Sequence, residues 1–291
     1  TCDSVKVHDL IRPYRASKLL LIHSPSFNFE SFDPEVLKNR GYYAYPPRAL
    51  ACLQTSISDL IDCDILDLNF LLLKKLRNQQ GELYEMLLEL LDEYLLEHPE
   101  TRLFGVSSGV IVPNIFEAER HPFLEILSHL MKRDGVVMAG GAAATIEACN
   151  LIEGGWAHLV FKGEAEMKLR YALDENADAI AGIAYLEDGR YQETEGSHKM
   201  VDFQLSLIES YRKVPIEEYH QVGSLSPFSR MAGADEPYST IQLIRGCRMK
   251  CTFCGLSQYR GSNQVCEYPQ EVLFEEIRYL AQERGIRHFS W

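Results

Sequence analysis

The sequence predicts an α/β protein: a doubly wound parallel sheet followed by the opening βαβ unit of a second domain. Three observations carry this. From residue 17 to about 175, short apolar runs alternate with longer runs of helical period, the signature of repeated βαβ units. The short runs, KLLLIH at 18–23 among them, are near-continuously apolar, as strands covered on both faces must be. After a polar stretch punctuated by Pro and Gly at 203–238, the alternation starts again at Ser239. The expected domains are an N-terminal extension (1–16), the doubly wound domain (17–175), a hairpin and connector (176–237) and the start of the second domain (238–291).

The elements follow in order. Residues 18–23 are the first strand. Residues 47–61 have helical spacing with Pro near the start, and 64–67 is a short strand. Residues 81–98 form an amphipathic helix in which Leu83, Met86, Leu87, Leu90, Leu91, Tyr94 and Leu95 share a face and Glu85, Glu89, Asp92 and Glu93 lie largely opposite. A strand at 103–107, a helix at 116–133 and a strand at 136–139 lead into Gly140 and Gly141. A helix at 146–153, a strand at 158–162 and a helix at 164–173 complete the domain. Residues 183–186, followed by Glu187-Asp188-Gly189, read as a hairpin with its turn. The second domain shows a strand at 240–244, a cysteine-bearing loop, a helix at 269–284 and a strand at 286–291. Sheets of this class bind ligands beyond the carboxyl ends of their strands.

Composition narrows the function. A net charge of −13 without a dense Lys/Arg cluster argues against nucleic-acid binding. No apolar run reaches the roughly 18 residues of a membrane span, and the N-terminus has no apolar signal-peptide core. The expectation is a soluble cytoplasmic protein. Thr1 in place of an initiator Met, and an apolar run reaching Trp291, read as the cut ends of a longer chain. His8, His121, His158 and His220 stand alone and read as surface or structural residues.

Of eight cysteines, Cys52, Cys63 and Cys149 sit among apolar neighbours and Cys2 is isolated. The buried reading of a free cysteine is a small hydrophobe. Cys247, Cys251, Cys254 and Cys266 crowd one segment, which in a reducing compartment reads as metal binding. The first three have the spacing C-x3-C-x2-C just after a strand. Three thiolates on one tight loop can hold three corners of a cubane iron–sulfur cluster and leave its fourth iron open. The alternative is zinc, with Cys266 or His288 as fourth ligand. Zinc more typically pairs two short cysteine hairpins, and no second pair is present.

With Arg245-Gly246 before it and Phe253 ahead of the third cysteine, this loop resembles that of the radical S-adenosylmethionine (SAM) superfamily. Arg248 stands where relatives often carry proline. The resemblance implies a four-iron four-sulfur cluster on Cys247, Cys251 and Cys254, SAM chelated to the open iron, Phe253 beside SAM, and an electron donor of flavodoxin or ferredoxin type. It also implies that residues 238–291 open a partial (β/α)6 barrel.

Upstream, the flavodoxin-like alternation lacks a G-x-G-x-x-G or P-loop motif. It resembles the cobalamin-binding domain that precedes the barrel in a large radical SAM subfamily. Five pieces carry the likeness: the run 18–26, Tyr45-Pro46-Pro47-Arg48-Ala49-Leu50, Gly105-Val106-Ser107-Ser108, Val137-Met138-Ala139-Gly140-Gly141 with Ala144-Thr145, and Val160-Phe161-Lys162-Gly163-Glu164-Ala165-Glu166. The implied cobalamin contacts are Ser107, Ser108, Gly140, Gly141, Thr145, Gly163 and Glu164. Glycines there would let backbone approach the nucleotide tail closely. For Glu164 and Glu166 an acidic first helical turn stands beside a ligand or interdomain role. There is no D-x-H-x-x-G, so the resemblance implies base-off cobalamin without a histidine ligand. The expected activity is functionalisation of an unactivated carbon of a small substrate, most plausibly methyl transfer. Oxidative cyclisation is the enzyme alternative, and a non-catalytic cobalamin- or zinc-binding module is the other. The sequence assigns no catalytic side chain.

Overall fold

The computed structural model describes residues 3–109, 115–197, 206–224, 236–249, 251–254 and 265–290. Cys2, the connector residues 203–205 and 225–235, and Trp291 lie outside them. The centre is a seven-stranded sheet of order β2-β1-β3-β4-β5-β6-β7. Its strands are β1 (Lys18–His23), β2 (Cys63–Asp67), β3 (Thr101–Ser107), β4 (Val136–Gly140), β5 (Leu159–Phe161), β6 (Ile183–Glu187) and β7 (Arg190–Glu193). β1 to β5 run parallel, while β6 and β7 add an antiparallel edge. The order 2-1-3-4-5 is that of flavodoxin-like sheets, so the strand order reverses between β1 and β3.

Strand periodicity explains why this sheet needs two covered faces. Leu20, Ile22, Phe104, Val106, Val137, Ala139 and Val160 pack into one core. Their neighbours Leu19, Leu21, Leu103, Val136, Met138, Leu159 and Phe161 pack into the other. Successive strand side chains point to opposite faces, so an unbroken apolar run is buried twice. Helices α4 (Leu68–Leu76), α5 (Leu83–Glu97) and α6 (Pro122–Leu130) contribute to the first core. Helices α1 (Asp3–Ile11), α3 (Arg48–Ser56) and α9 (Glu166–Leu173) contribute to the second. Short helices α2 (Pro34–Lys38), α7 (Ala142–Ile146) and α8 (Ala148–Glu153) fill the connections.

The structure gives form to four of these expectations. The N-terminal extension is helix α1, whose Val7 and Ile11 are fully buried. Of the two readings of His8, surface or structural, the structure shows the structural one: it is buried, its Nε2 2.8 Å from the Tyr171 carbonyl. The helix expected from 116 begins at Pro122, because His121 caps it by accepting from Phe123 N–H and proline suits a first helical position. The connector is no loose linker in its described part. Helix α10 (Ile208–Arg212) and a 3-10 turn at Ile216–Gln221 carry Tyr211 and Tyr219 into the first core. Tyr219 OH donates to Asp67 Oδ2 at 2.7 Å, tying that turn to β2.

Beyond the connector lie β8 (Tyr238–Thr240), β9 (Ile244–Gly246), β10 (Val265–Glu267), α11 (Gln270–Gln282) and β11 (His288–Ser290). β8 and β11 pair in parallel across α11, so the expected βαβ unit forms, with its first strand ending at Thr240 instead of 244. The cysteines sit on an antiparallel arm, β9 with β10, that the sequence reading did not foresee. Among the described residues no helix is long and apolar enough to cross a membrane.

Candidate functional site

A cavity of about 750 Å³ lies at the carboxyl edge of β3, β4 and β5, between the front sheet and residues 240–246. Its floor includes Ser107, Gly140, Gly141, Gly163 and Glu164, and Arg48 and Glu166 stand in its wall. The segment from Thr240 to Gly246 covers it, so the strand leading to the cysteines is also the lid. No histidine lines it among the described residues.

Local backbone chemistry shapes the floor. Gly141 has φ +95°, and a Cβ there would stand 2.6 Å from Ser108 Oγ, so only glycine fits. Gly140 differs: a Cβ would meet nothing nearer than the Phe161 carbonyl at 3.9 Å. Two expected contact residues turn out to brace the floor rather than line the cavity. Ser108 N–H donates to the Gly140 carbonyl (2.9 Å), and its hydroxyl accepts from Ala144 N–H (3.3 Å). Thr145 Oγ1 donates to the Gly141 carbonyl (2.8 Å) and accepts from Gly163 N–H (2.9 Å), stitching the β4 and β5 loops together. Ser107, Gly140, Gly141, Gly163 and Glu164 remain on the cavity surface.

Two arginines in the wall, Arg48 buried and Arg245 largely so, were quoted from sequence within the resembling runs, but without their partners or a role. Arg48 Nη1 donates to Tyr211 OH (2.7 Å) and pairs with Glu276 of α11, whose Oε2 lies 3.1 Å from Nη2. Burial alone would weaken this cation, but Tyr211 and Glu276 hold its pKa above the usual guanidinium value. Its buried Nε has no partner among the described residues. Arg245 of β9 pairs with Glu166 of α9, and its Nη2 lies 3.7 Å from Cys52 Sγ. Signals for the Arg48–Glu276 pair existed. Arg48 opens a helix, where a cation opposes the dipole, and Glu276 lies on the buried stripe of α11 with Leu273 and Leu280.

A third polar cluster sits away from the cavity. His23 Nδ1 lies 3.1 Å from Asp67 Oδ1, and Nε2 lies 3.4 Å from Ser26 Oγ. Burial disfavours the imidazolium, yet Asp67 outweighs it and raises the His23 pKa.

Cys247, Cys251 and Cys254 follow β9 directly. Cys247 is exposed and the other two are half-buried. Met249 N–H donates to Cys247 Sγ (3.4 Å), and Cys254 N–H donates to the Cys251 carbonyl (3.1 Å), which closes a tight turn. The three thiols share one short loop, but among the described residues no three Cys, His, Asp or Glu side chains converge as a metal site would require. As a donor set they suit an iron–sulfur cluster, being sulfur only and free of carboxylates. Phe253 is 90% exposed. Cys266 lies across the arm, paired with Arg245, and His288 is 3.1 Å from Glu236. Neither joins the three thiols.

No family model matches the chain. The fold does have known counterparts. The radical SAM methyltransferase TsrM of Kitasatospora setae, solved with cobalamin and a [4Fe-4S] cluster, superposes with a TM-score of 0.59 at 18% identity, over 94% of this chain and 47% of that one. The cobalamin-dependent SAM radical enzyme OxsB, solved with aqua-cobalamin, gives 0.59 at 15% identity, over 97% of this chain and 34% of that one. The chain shares the fold of the matched part of these two solved proteins. TsrM with tryptophan and a SAM analogue gives 0.55 at 19% identity, over the same 94% and 47%. In sequence, the ribosomal protein uS12 methylthiotransferase RimO of Streptomyces griseus subsp. griseus is 35% identical over 65 residues, 22% of this chain and 12% of that protein. The chain thus spans from a third to about half the length of the solved structures sharing this radical SAM fold.

Proposed function

We propose that this chain serves a cobalamin-dependent radical SAM enzyme that functionalises an unactivated carbon of a small substrate, with methyl transfer as the reaction. The observation that carries this is the placement of an open cavity at the sheet's carboxyl edge directly beneath the strand that leads into C-x3-C-x2-C. Residues 238–291 then open the partial barrel, and a flavodoxin- or ferredoxin-type protein supplies electrons. Cys247, Cys251 and Cys254 would hold the cluster. Ser107, Gly140, Gly141, Gly163 and Glu164 would face cobalamin, with Ser108 and Thr145 holding that surface in shape. When bound, the cluster with SAM supplies reductive cleavage and cobalamin supplies a transferable methyl group.

The chain's own part is to bind, orient and enclose. The bare glycine at 140 admits a flat ligand close to backbone. Among the described residues the cavity surface carries no histidine, so none of them would offer an imidazole to a bound cobalt. Residues 240–246 line the cavity on the side opposite the sheet.

Anaerobic reconstitution with iron, sulfide and hydroxocobalamin, followed by metal analysis, tests the reading. The expected result is about four irons and one cobalt per chain. Iron without cobalt removes the methyl-carrier role, and zinc without iron removes the radical SAM reading altogether.

A further inference from the structure

We propose that Glu166 and Arg245 form a positioning pair that fixes the cysteine loop against the cavity wall. This rests on reading that loop as the cluster loop and adds the residues that set its place. Arg245 stands two residues before Cys247, so at about 3.8 Å per residue the Cys247 Cα lies within roughly 8 Å of the Arg245 Cα. Holding the guanidinium therefore limits where the first thiol can go.

The grip comes from the front domain on both arms of the guanidinium. Nη1 contacts Glu166, the first residue of α9, and both side chains are largely buried, 13% and 6% exposed. Nη2 reaches Cys52 Sγ in α3 at 3.7 Å, and the same sulfur lies 3.6 Å from Tyr268 OH. Tyr268 N–H in turn donates to the Leu243 carbonyl (2.9 Å), returning to the segment that covers the cavity. The next residues before Glu166, namely Gly163, Glu164 and Ala165, are themselves cavity wall. One carboxylate thus joins the surface that would face cobalamin to the strand that carries the thiols. Beyond Arg245 the loop has little apolar anchorage, since Met249 is 67% and Phe253 90% exposed.

A pair of this kind does more than stabilise. Buried ion pairs offset their own desolvation, so they are weak evidence for stability and better understood as fixing geometry. A site held one ångström too loosely loses function even when every ligand is present.

The test uses the full chain purified anaerobically, with the variants Glu166→Gln and Arg245→Lys. The first removes the countercharge and the second keeps the charge but loses the forked geometry. Amide hydrogen exchange is measured first on the protein as purified, whatever the cysteines bind. The expected result for both variants is at least about tenfold faster exchange in β9 and at Cys247, with β1 to β5 unchanged, since local opening is independent of global unfolding. After reconstitution, both should retain wild-type iron while losing the resolved magnetic coupling between reduced cluster and cob(II)alamin, and with it turnover. Wild-type exchange together with wild-type coupling overturns the proposal. If Glu166→Gln loosens the whole sheet, Arg245→Lys decides, and global loosening there too assigns the pair to stability and overturns the positioning role. If the wild type binds no iron or no cobalt, the cofactor reading fails by itself, and the exchange experiment alone judges the pair.

Discussion

The front sheet and the C-terminal segment of this molecule are stabilised in different ways. In the sheet, β1 places Leu19, Leu20, Leu21 and Ile22 at 2% exposure or less, split between two cores. In the segment from 236 onward, Leu243, Ile244, Met249, Phe253 and Phe274 are 40–90% exposed, and the strands pair only two by two. The segment reaches the front through four apolar side chains that join the first core, Tyr238, Tyr279, Leu280 and Ile286, and through polar ties: the largely buried pairs Arg48 with Glu276 and Arg245 with Glu166, and Arg284 with the 43% exposed Glu217 and the carbonyls of Tyr211 and Val214. Apolar burial is non-directional and sums over many contacts, whereas ion pairs fix a few points. The sheet relies mainly on the first, whereas the segment adds the second to a smaller apolar contact.

This difference can be broken in order of size. Glu276→Ala leaves the Arg48 cation buried without its partner, which is expected to destabilise by about 3–5 kcal/mol. Limited proteolysis should release α11 while β1 to β5 stay protected, and loss of protection everywhere at once would erase the distinction. Leu20→Ala should destabilise the front sheet by about 2–5 kcal/mol in denaturant unfolding, whereas Leu243→Ala, at a 40% exposed position, should stay within about 0.5 kcal/mol. Equal effects at the two positions would show that the segment has a core like the sheet's.

Within the site, Gly141→Ala forces a side chain at φ +95° into Ser108 and should destabilise by about 1–3 kcal/mol. Gly140→Ala meets open space and should remain within about 1 kcal/mol of wild type while weakening hydroxocobalamin binding measured by its visible spectrum. Tight binding by Gly140→Ala would move the ligand away from that wall.

A further prediction is one of pH. Burial of His121, whose Nε2 has no partner among the described residues, lowers its pKa from 6.5 to about 4. Its folded-state value lies below the unfolded one, so the unfolded chain takes up the proton first. The stability is complete above about pH 6.5 and is lost as pH falls toward 4. His121→Asn keeps a capping side chain and should flatten that part of the stability profile followed by denaturant midpoints.

Much of this was legible in the chain. Runs such as KLLLIH and VVMAG announced doubly buried strands, and the cysteine spacing announced a sulfur site. What escaped were elements whose local signals conflict. The run from Leu68 follows β2 directly and is as apolar as a strand, so α4 was not foreseen. Ile244 read as the end of a strand from 240 and Arg245-Gly246 as the start of the cysteine loop, because the partner of Ile244–Gly246, Val265–Glu267, lies about twenty residues on.

By itself the sequence determined the alternation of elements, the two-faced burial of β1 to β5 and the C-x3-C-x2-C loop, since each depends on spacing along one stretch of chain. Only the tertiary structure decided which polar residues meet. Ser108 and Thr145 became braces rather than cavity surface. Glu166 became the partner of Arg245, 79 residues away, and Arg48 that of Glu276, 228 residues away. Charges so distant in sequence carry no periodicity linking them. Their pairing is settled when the two bodies exclude water between them and each buried charge must find its opposite.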